Sequence, residues 1–136
     1  MSLVDRLQAD FEKVAAPYVQ RLGLSIVELG ADQVVLSMPV TPDVVHGGGV
    51  LCGQAMLAAA DTAMVLAMSA ALGGFRPMTT VQLQTSFLRP VPGDAGAVRV
   101  TCRLLRRGKS LSFGEIEIAT LDGKLAAHAT TTYALL

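Results

Sequence analysis

The 136-residue sequence has no tryptophan, and its aromatic and charged fractions are small, at 4% and 16%. Lysine plus arginine and aspartate plus glutamate both number 11, so no net charge directs the chain toward nucleic acid or an anionic membrane surface. Hydrophobic residues make up 51% of the chain. A small domain has a large surface for its volume, so we expect part of this apolar surface to be buried by self-association.

Cysteine is scarce, and Cys52 and Cys102 have neither metal-binding nor redox spacing. We therefore expect free thiols in a reducing compartment.

The N-terminus carries Asp5, Asp10 and Glu12 instead of the apolar segment of a signal peptide, which predicts a cytoplasmic protein. With two histidines and no cysteine or carboxylate cluster, the sequence predicts no metal site and no cofactor.

Hydrophobic periodicity predicts one domain over residues 1–136, with an amphipathic helix over about 2–16 and a long apolar helix over about 51–72. The second helix is long enough to span a bilayer. It contains Gln54 and a central Asp61, however, and amphipathic strands flank it. These features favour a buried helix in a soluble domain.

Alternating apolar residues predict six strands, the last four in a meander, at 24–29, 34–40, 80–88, 98–104, 111–120 and 125–134. In the fifth strand the apolar phase shifts at Gly114, which suggests a β-bulge. Asp122-Gly123 predicts a two-residue hairpin turn. A helix that is apolar all round needs cover on every side. An antiparallel sheet wrapped around one long central helix provides it, which is an α+β architecture of the hotdog type.

Asp61 is the strongest candidate for chemistry. Aspartate is a poor residue for a helix interior, and no basic residue lies three or four positions away to pair with it. A lone carboxylate in an apolar helix is costly. It acts either as a general base or nucleophile in a dry cleft, or as a structural group bonded to a backbone or hydroxyl group across an interface.

Gly53 lies at the start of the same helix, where backbone N–H groups lack intrahelical acceptors. A residue without Cβ lets a carbonyl oxygen approach those N–H groups, as an oxyanion hole requires. The alternative is an ordinary helix start. Eight residues of helix advance about 12 Å, so Gly53 and Asp61 cannot meet on one carbonyl within one helix. If both act on one substrate, the site lies between two chains.

Three blocks of sequence resemble the PaaI-like (phenylacetate-pathway type) hotdog thioesterases, and the resemblance extends from Leu24 onward. The first block is Cys52-Gly-Gln-Ala-Met-Leu-Ala-Ala-Ala-Asp-Thr-Ala63 and the second is Thr79–Pro90. The third comprises Leu104–Leu111 with Asp122–Thr130. Together, in this order and spacing, the blocks are fairly specific for the family.

The resemblance implies that Asp61 is the catalytic carboxylate and that the Gly53 N–H polarises a thioester carbonyl. It also implies that Thr80 places the attacking water. His46 falls where many members have Asn or Gln. As a lone histidine it is either a functional residue (a ligand, a proton carrier or a hydrogen-bond donor) or a structural one. The histidine that the family has nine residues before the aspartate is replaced here by Cys52.

Cys52 and Gln54 are expected to line the site. Cys52 is either a passive space-filler, which we favour, or a nucleophile; no base lies next to it in sequence.

By resemblance, the expected activity is hydrolysis of an acyl-CoA to a free acid and CoA, in a homodimer or a dimer of dimers. The alternatives are a non-catalytic acyl-CoA- or lipid-binding protein and, less favoured, a hydratase or dehydratase. The basic residues expected to bind CoA phosphates, unless they form only a solvated strand face, are Arg89, Arg106, Arg107 and Lys109.

Overall fold

The computed structural model describes residues 1–136. Its helices are α1 (Leu3–Val14), α2 (Pro17–Gln20) and α3 (Gly53–Leu72). Its strands are β1 (Ser25–Gly30), β2 (Gln33–Pro39), β3 (Met78–Phe87), β4 (Ala97–Arg107), β5 (Leu111–Thr120) and β6 (Leu125–Leu135). A turn of 3-10 helix, Pro42–Val44, precedes α3.

Helix α1 begins with a capping box. The Asp5 N–H donates to Ser2 Oγ, and the Asp5 carboxylate accepts from the Ser2 N–H. The helix buries Leu7 and Phe11 against the rest of the domain. It ends shortly before Pro17, which starts α2 because its missing N–H and fixed φ suit the first helical position.

Helix α3 is the central element of the fold. Eleven of its twenty residues are buried, and it ends at Gly73, whose positive φ of 79° forms the left-handed cap that favours glycine. By length and composition alone α3 could cross a membrane. In this fold it is instead the core helix, packed in a cluster of 26 buried hydrophobic residues.

All six strands form one antiparallel sheet in the order β1-β2-β4-β5-β6-β3. The predicted α+β hotdog architecture is confirmed. The predicted four-strand meander is wrong, because β3 pairs with β6 at the edge and only β4, β5 and β6 follow one another. The segment from 88 to 96 crosses the end of the sheet. Pro90 and Pro92 lack the N–H that a tight hairpin ladder needs.

The bulge predicted at Gly114 is wrong for β5 and lies in β4 instead. Buried positions on β5 alternate without interruption, at Ser112, Gly114, Ile116 and Ile118. The extra residue is Leu105, between the pairs Leu104–Gly114 and Arg106–Phe113. Position 114 favours glycine because a Cβ there would lie 2.6 Å from the Met64 sulfur and 3.2 Å from the Arg103 carbonyl oxygen.

The hairpin at Asp122-Gly123 is present, but four residues connect the strands where two were predicted. β5 ends at Thr120 and β6 begins at Leu125. The Thr120 N–H donates to the Lys124 carbonyl at 2.9 Å, which encloses three residues, 121–123, one more than a two-residue turn has.

Candidate active site

The Asp61 carboxylate is held by side chains from two neighbouring strands. Thr80 Oγ1 donates to Asp61 Oδ1 at 2.8 Å, and the Tyr133 hydroxyl donates to the same oxygen at 2.5 Å. The Tyr133 oxygen also lies 3.0 Å from the Asp61 backbone carbonyl. Asp61 Oδ2 has no hydrogen-bond partner within the chain. The carboxylate therefore has one anchored oxygen and one free oxygen.

Tyr133 is only 2% exposed. Burial raises the pKa of its phenol well above the ordinary value, and the hydrogen bond to Asp61 raises it further. The hydroxyl therefore keeps its proton at neutral pH and remains a donor. Its 2.5 Å contact with Oδ1 has the length typical of a hydrogen bond to an ionised carboxylate.

At the start of α3, Gly53 leaves its backbone N–H available. The N-cap residue Cys52 makes no side-chain hydrogen bond to the first turn. The first N–H groups of α3 therefore have no acceptor within the helix and none from the cap side chain. A Cβ on Gly53 would lie 3.3 Å from Phe87 Cζ, which is a tight contact. The space for a side chain at Gly53 is therefore narrow on the β3 side.

His46 lies in the glycine-rich loop before α3 and is exposed. Its Nδ1 accepts from the Gly48 N–H at 2.8 Å, and its carbonyl accepts from the Gly49 N–H at 2.9 Å. Because Nδ1 is an acceptor, the neutral ring carries its proton on Nε2, which points away from this loop bond. His46 has no hydrogen bond to Asp61 in the same chain.

Cys52 is half-buried and Gln54 is exposed in the first turn of α3, so both lie beside Gly53. Cys102 is in the core, where burial raises the pKa of its thiol to about 12 and the nearby Glu115 adds to the shift. A thiol of this kind stays protonated and unreactive. Neither cysteine forms a disulfide.

The structure divides the predicted basic cluster into two groups. Arg106, Arg107 and Lys109 are exposed where β4 turns into β5. Arg89 lines a groove of about 530 Å³ at the other end of the sheet, together with Lys124 of the β5–β6 loop. Ten-residue strands are about 33 Å long, so one chain does not bring the two groups together.

Sequence reasoning missed the contact of Tyr133 with Asp61 and the position of Lys124 beside Arg89. Tyr133 had a signal, because it alternates with Thr131 and Ala129 on β6, and a buried tyrosine hydroxyl usually has a hydrogen-bond partner. No sequence pattern indicated the position of Lys124, because it becomes a neighbour of Arg89 only when the sheet has formed.

A family model described as Thioesterase superfamily matches residues 44–127, a span that runs from the 3-10 turn through α3 into β6. The match covers more than half of the chain and includes Gly53, Asp61 and Thr80.

Solved structures agree with this match. A conserved protein of Pseudomonas aeruginosa is 32% identical with a TM-score of 0.82, and the alignment covers 92% of this chain and 98% of that one. A thioesterase of Haemophilus influenzae is 26% identical with a TM-score of 0.84, covering 96% and 90%. The PaaI protein of the E. coli phenylacetic acid degradation operon is 22% identical with a TM-score of 0.81, covering 99% and 96%, and at this identity the likeness shows the fold alone.

Proposed function

The chain belongs to the thioesterase superfamily, and from this premise we propose that it hydrolyses an acyl-CoA thioester to a free acid and CoA. One observation carries the proposal. Asp61, the only charged residue in α3, is fixed through Oδ1 by two hydroxyl donors while Oδ2 stays free. A purely structural aspartate would have little use for an unbonded oxygen in an apolar helix.

The free oxygen gives the carboxylate two possible roles in the reaction. As a general base, Oδ2 takes a proton from water while the water oxygen attacks the thioester carbon. As a nucleophile, Oδ2 attacks that carbon directly and water then hydrolyses the resulting anhydride. In both cases a tetrahedral oxyanion forms, the C–S bond breaks and CoA leaves as the thiolate. The N–H of Gly53 is placed in our proposal against that oxyanion.

The proposed site needs two chains. Gly53 and Asp61 are about 12 Å apart along one helix, whereas one thioester carbon must reach both. Strand β3 offers a surface for the second chain, because its outer edge has no partner in the sheet. Val81, Phe87 and the adjoining Leu88 are 58%, 49% and 55% exposed along this edge. An unpaired apolar edge is a template for pairing with another copy.

The proposal assigns the CoA phosphates to the basic residues Arg89, Arg106, Arg107 and Lys109. If the β3 edges of two chains pair antiparallel around a two-fold axis, opposite ends of the two sheets lie side by side. Arg89 of one chain and the other three residues of the second chain can then serve one substrate. His46 is included as a donor through Nε2 in the same shared site.

We place the protein in the cytoplasm, where its two free thiols stay reduced.

The test is release of free thiol from a panel of acyl-CoAs by wild type and Asp61→Asn. We expect Asp61→Asn to lower kcat by at least about a hundredfold, because it removes a positioned base or nucleophile. Its circular dichroism and unfolding midpoint should stay near those of wild type, since the amide keeps an oxygen for Thr80 and Tyr133. Near-normal hydrolysis by a folded Asp61→Asn protein would refute the assignment. Tight acyl-CoA binding by wild type without turnover would instead support a binding protein.

A further inference from the structure

Thr80 and Tyr133 are directly opposite each other in the β3–β6 ladder. Side chains at directly opposed positions of an antiparallel pair point to the same face of the sheet. Here that face is the one that packs on α3, and both hydroxyls meet at Asp61 Oδ1. The contact is therefore built from three elements, α3, β3 and β6.

A bulge in β3 is what brings Thr80 to this face. The pairing shifts between Thr80 and Gln82, so Val81 is the extra residue and points to solvent. After the bulge Leu83 lies opposite Thr131, on the inner face. With regular alternation from Leu83, Thr80 would point outward and Val81 inward. The irregularity thus serves the contact with Asp61, as bulges near functional sites commonly do.

The two donors occupy the acceptor capacity of one oxygen. A carboxylate oxygen has two lone-pair sites, and Oδ1 accepts from Thr80 at 2.8 Å and from Tyr133 at 2.5 Å. Oδ2 receives no donor from the chain. The Asp61 backbone carbonyl, at 3.0 Å, is also within hydrogen-bond distance of the Tyr133 hydroxyl, but the shorter contact of this hydroxyl is to the carboxylate.

We propose that Tyr133 is a positioning residue, which fixes the Asp61 side chain through Oδ1 so that Oδ2 alone is presented to the substrate. This inference rests on the proposed function, because it assigns the reacting atom of the same carboxylate. Tyr133 contacts no substrate in this proposal and acts only through Asp61. Thr80 shares Oδ1 but remains exposed, so the buried tyrosine is the more rigid of the two supports.

The test compares Tyr133→Phe with Thr131→Val. The first removes only the hydroxyl that bonds Asp61. The second is a matched control, because it removes a buried hydrogen bond, Thr131 Oγ1 to the Gln82 carbonyl at 2.7 Å, from the same strand without touching Asp61. We expect Tyr133→Phe to lower kcat about ten- to a hundredfold with KM changed less than about twofold, and Thr131→Val to leave kcat within about twofold.

A double-mutant cycle separates positioning from general structural damage. In an Asp61→Asn background, Tyr133→Phe should lower the residual rate by less than about twofold, because the group through which it acts is gone. An equal fold-loss in both backgrounds, or a Tyr133→Phe enzyme with wild-type kcat, would overturn the inference while leaving Asp61 as the reacting group. Loss of activity in Thr131→Val to the same degree would also overturn it.

A crystal structure of Tyr133→Phe supplies a readout that does not depend on turnover. We expect the Asp61 carboxylate to adopt a different or a second rotamer, with Oδ1 no longer held in one position. An unchanged, fully ordered carboxylate bonded to Thr80 would contradict the positioning role even if wild type proved inactive on every thioester. Failure of the proposed function, seen as no thiol release by wild type, is thus distinct from failure of this inference.

Discussion

Asp61 combines a poor position for stability with a useful one for chemistry. An aspartate inside a helix is less favourable than alanine by about 0.7 kcal/mol or less in propensity alone, and its half-buried carboxylate loses part of its hydration. Two hydroxyl donors on one oxygen offset this cost. A hydrogen bond to a charged group contributes about 1.5–3 kcal/mol, so the anchored side chain is tolerated in the core helix with one oxygen left free.

At Cys52 we expect substitution to be tolerated. The thiol caps no N–H of α3, and the resemblance described above implies that it replaces a histidine of the family. Cys52→Ser should keep kcat within about fivefold of wild type, and Cys52→His should equal or exceed it, because neither removes a group that holds Asp61 or Gly53. The measurement is steady-state thiol release with one acyl-CoA. Complete loss of activity in dimeric Cys52→Ser would revive a thiolate nucleophile.

The role of an individual residue could be predicted from the sequence only where its residue type is unfavourable in its surroundings. Asp61 conflicts with an apolar helix, so it could be identified without a structure. Tyr133 conflicts with nothing, since tyrosine is common in strands; its alternation on β6 indicated a buried hydroxyl with some hydrogen-bond partner, but not which one. Its role depends on which side chain lies across the core, and that is decided by the packing of β6 on α3.

At the scale of secondary structure elements, the basic residues at the end of β4 lead to a specific prediction about substrate binding. Arg107 is already paired with Asp32 at 3.5 Å, so the cleaner variant is the pair Arg106→Glu and Lys109→Glu. We expect it to raise KM for acyl-CoA about tenfold at low salt, and less as salt increases, because exposed charges are screened. A short thioester without the nucleotide should show unchanged KM.

The control for this variant is Arg99→Glu, an exposed arginine on the same strand that forms no ion pair. It should leave KM for acyl-CoA within about twofold. An equal rise in KM for both substrates, or an equal effect of Arg99→Glu, would show that the basic residues at the end of β4 have no specific part in binding the nucleotide.

The positions of helices and strands followed from the hydrophobic pattern, whereas their irregularities did not. Alternation located β5 correctly from 111 to 120, but the change of apolar phase from Leu111 and Phe113 to Ile116 and Ile118 falsely indicated a bulge in that strand. Leu111 and Phe113 face outward. A bulge changes which face a residue occupies, and in β3 and β4 the extra residues, Val81 and Leu105, are exposed hydrophobics, which alternation alone does not reveal.

For the whole molecule, the shared-site proposal predicts complementation between two inactive variants. Gly53→Val places a side chain against the Phe87 ring and is expected to block the proposed oxyanion position, and Asp61→Asn removes the carboxylate. In a mixed dimer one site receives both lesions and the other receives neither. After reversible dissociation and reassociation, up to half of the wild-type activity per heterodimer should therefore return.

The control is each variant dissociated and reassociated alone, which should stay inactive. Heterodimers are counted independently by differential tagging and native mass spectrometry. An inactive mixture in which heterodimers are abundant would mean that each site is built within one chain.

The overall topology was only partly predictable. Composition and the order of elements indicated a sheet around one helix, but not that β3 pairs with β6 rather than with β4. Local pattern cannot decide between these pairings, because both bury the same apolar face. The decision depends on the proline-containing crossing from 88 to 96, which pairs with residues 50 and 51 at the start of α3 instead of forming a hairpin.

Because Thr80 and Tyr133 lie opposite each other across β3 and β6, the proposed enzyme activity depends on the correct alignment of these two strands. If β3 slipped by one residue against β6, every β3 side chain would change faces, and Thr80 would leave Asp61 although the chain could stay compact. Such a misaligned molecule would resemble the native one in helix and strand content yet lack turnover. Specific activity therefore reports the fraction of correctly aligned molecules more sharply than circular dichroism does.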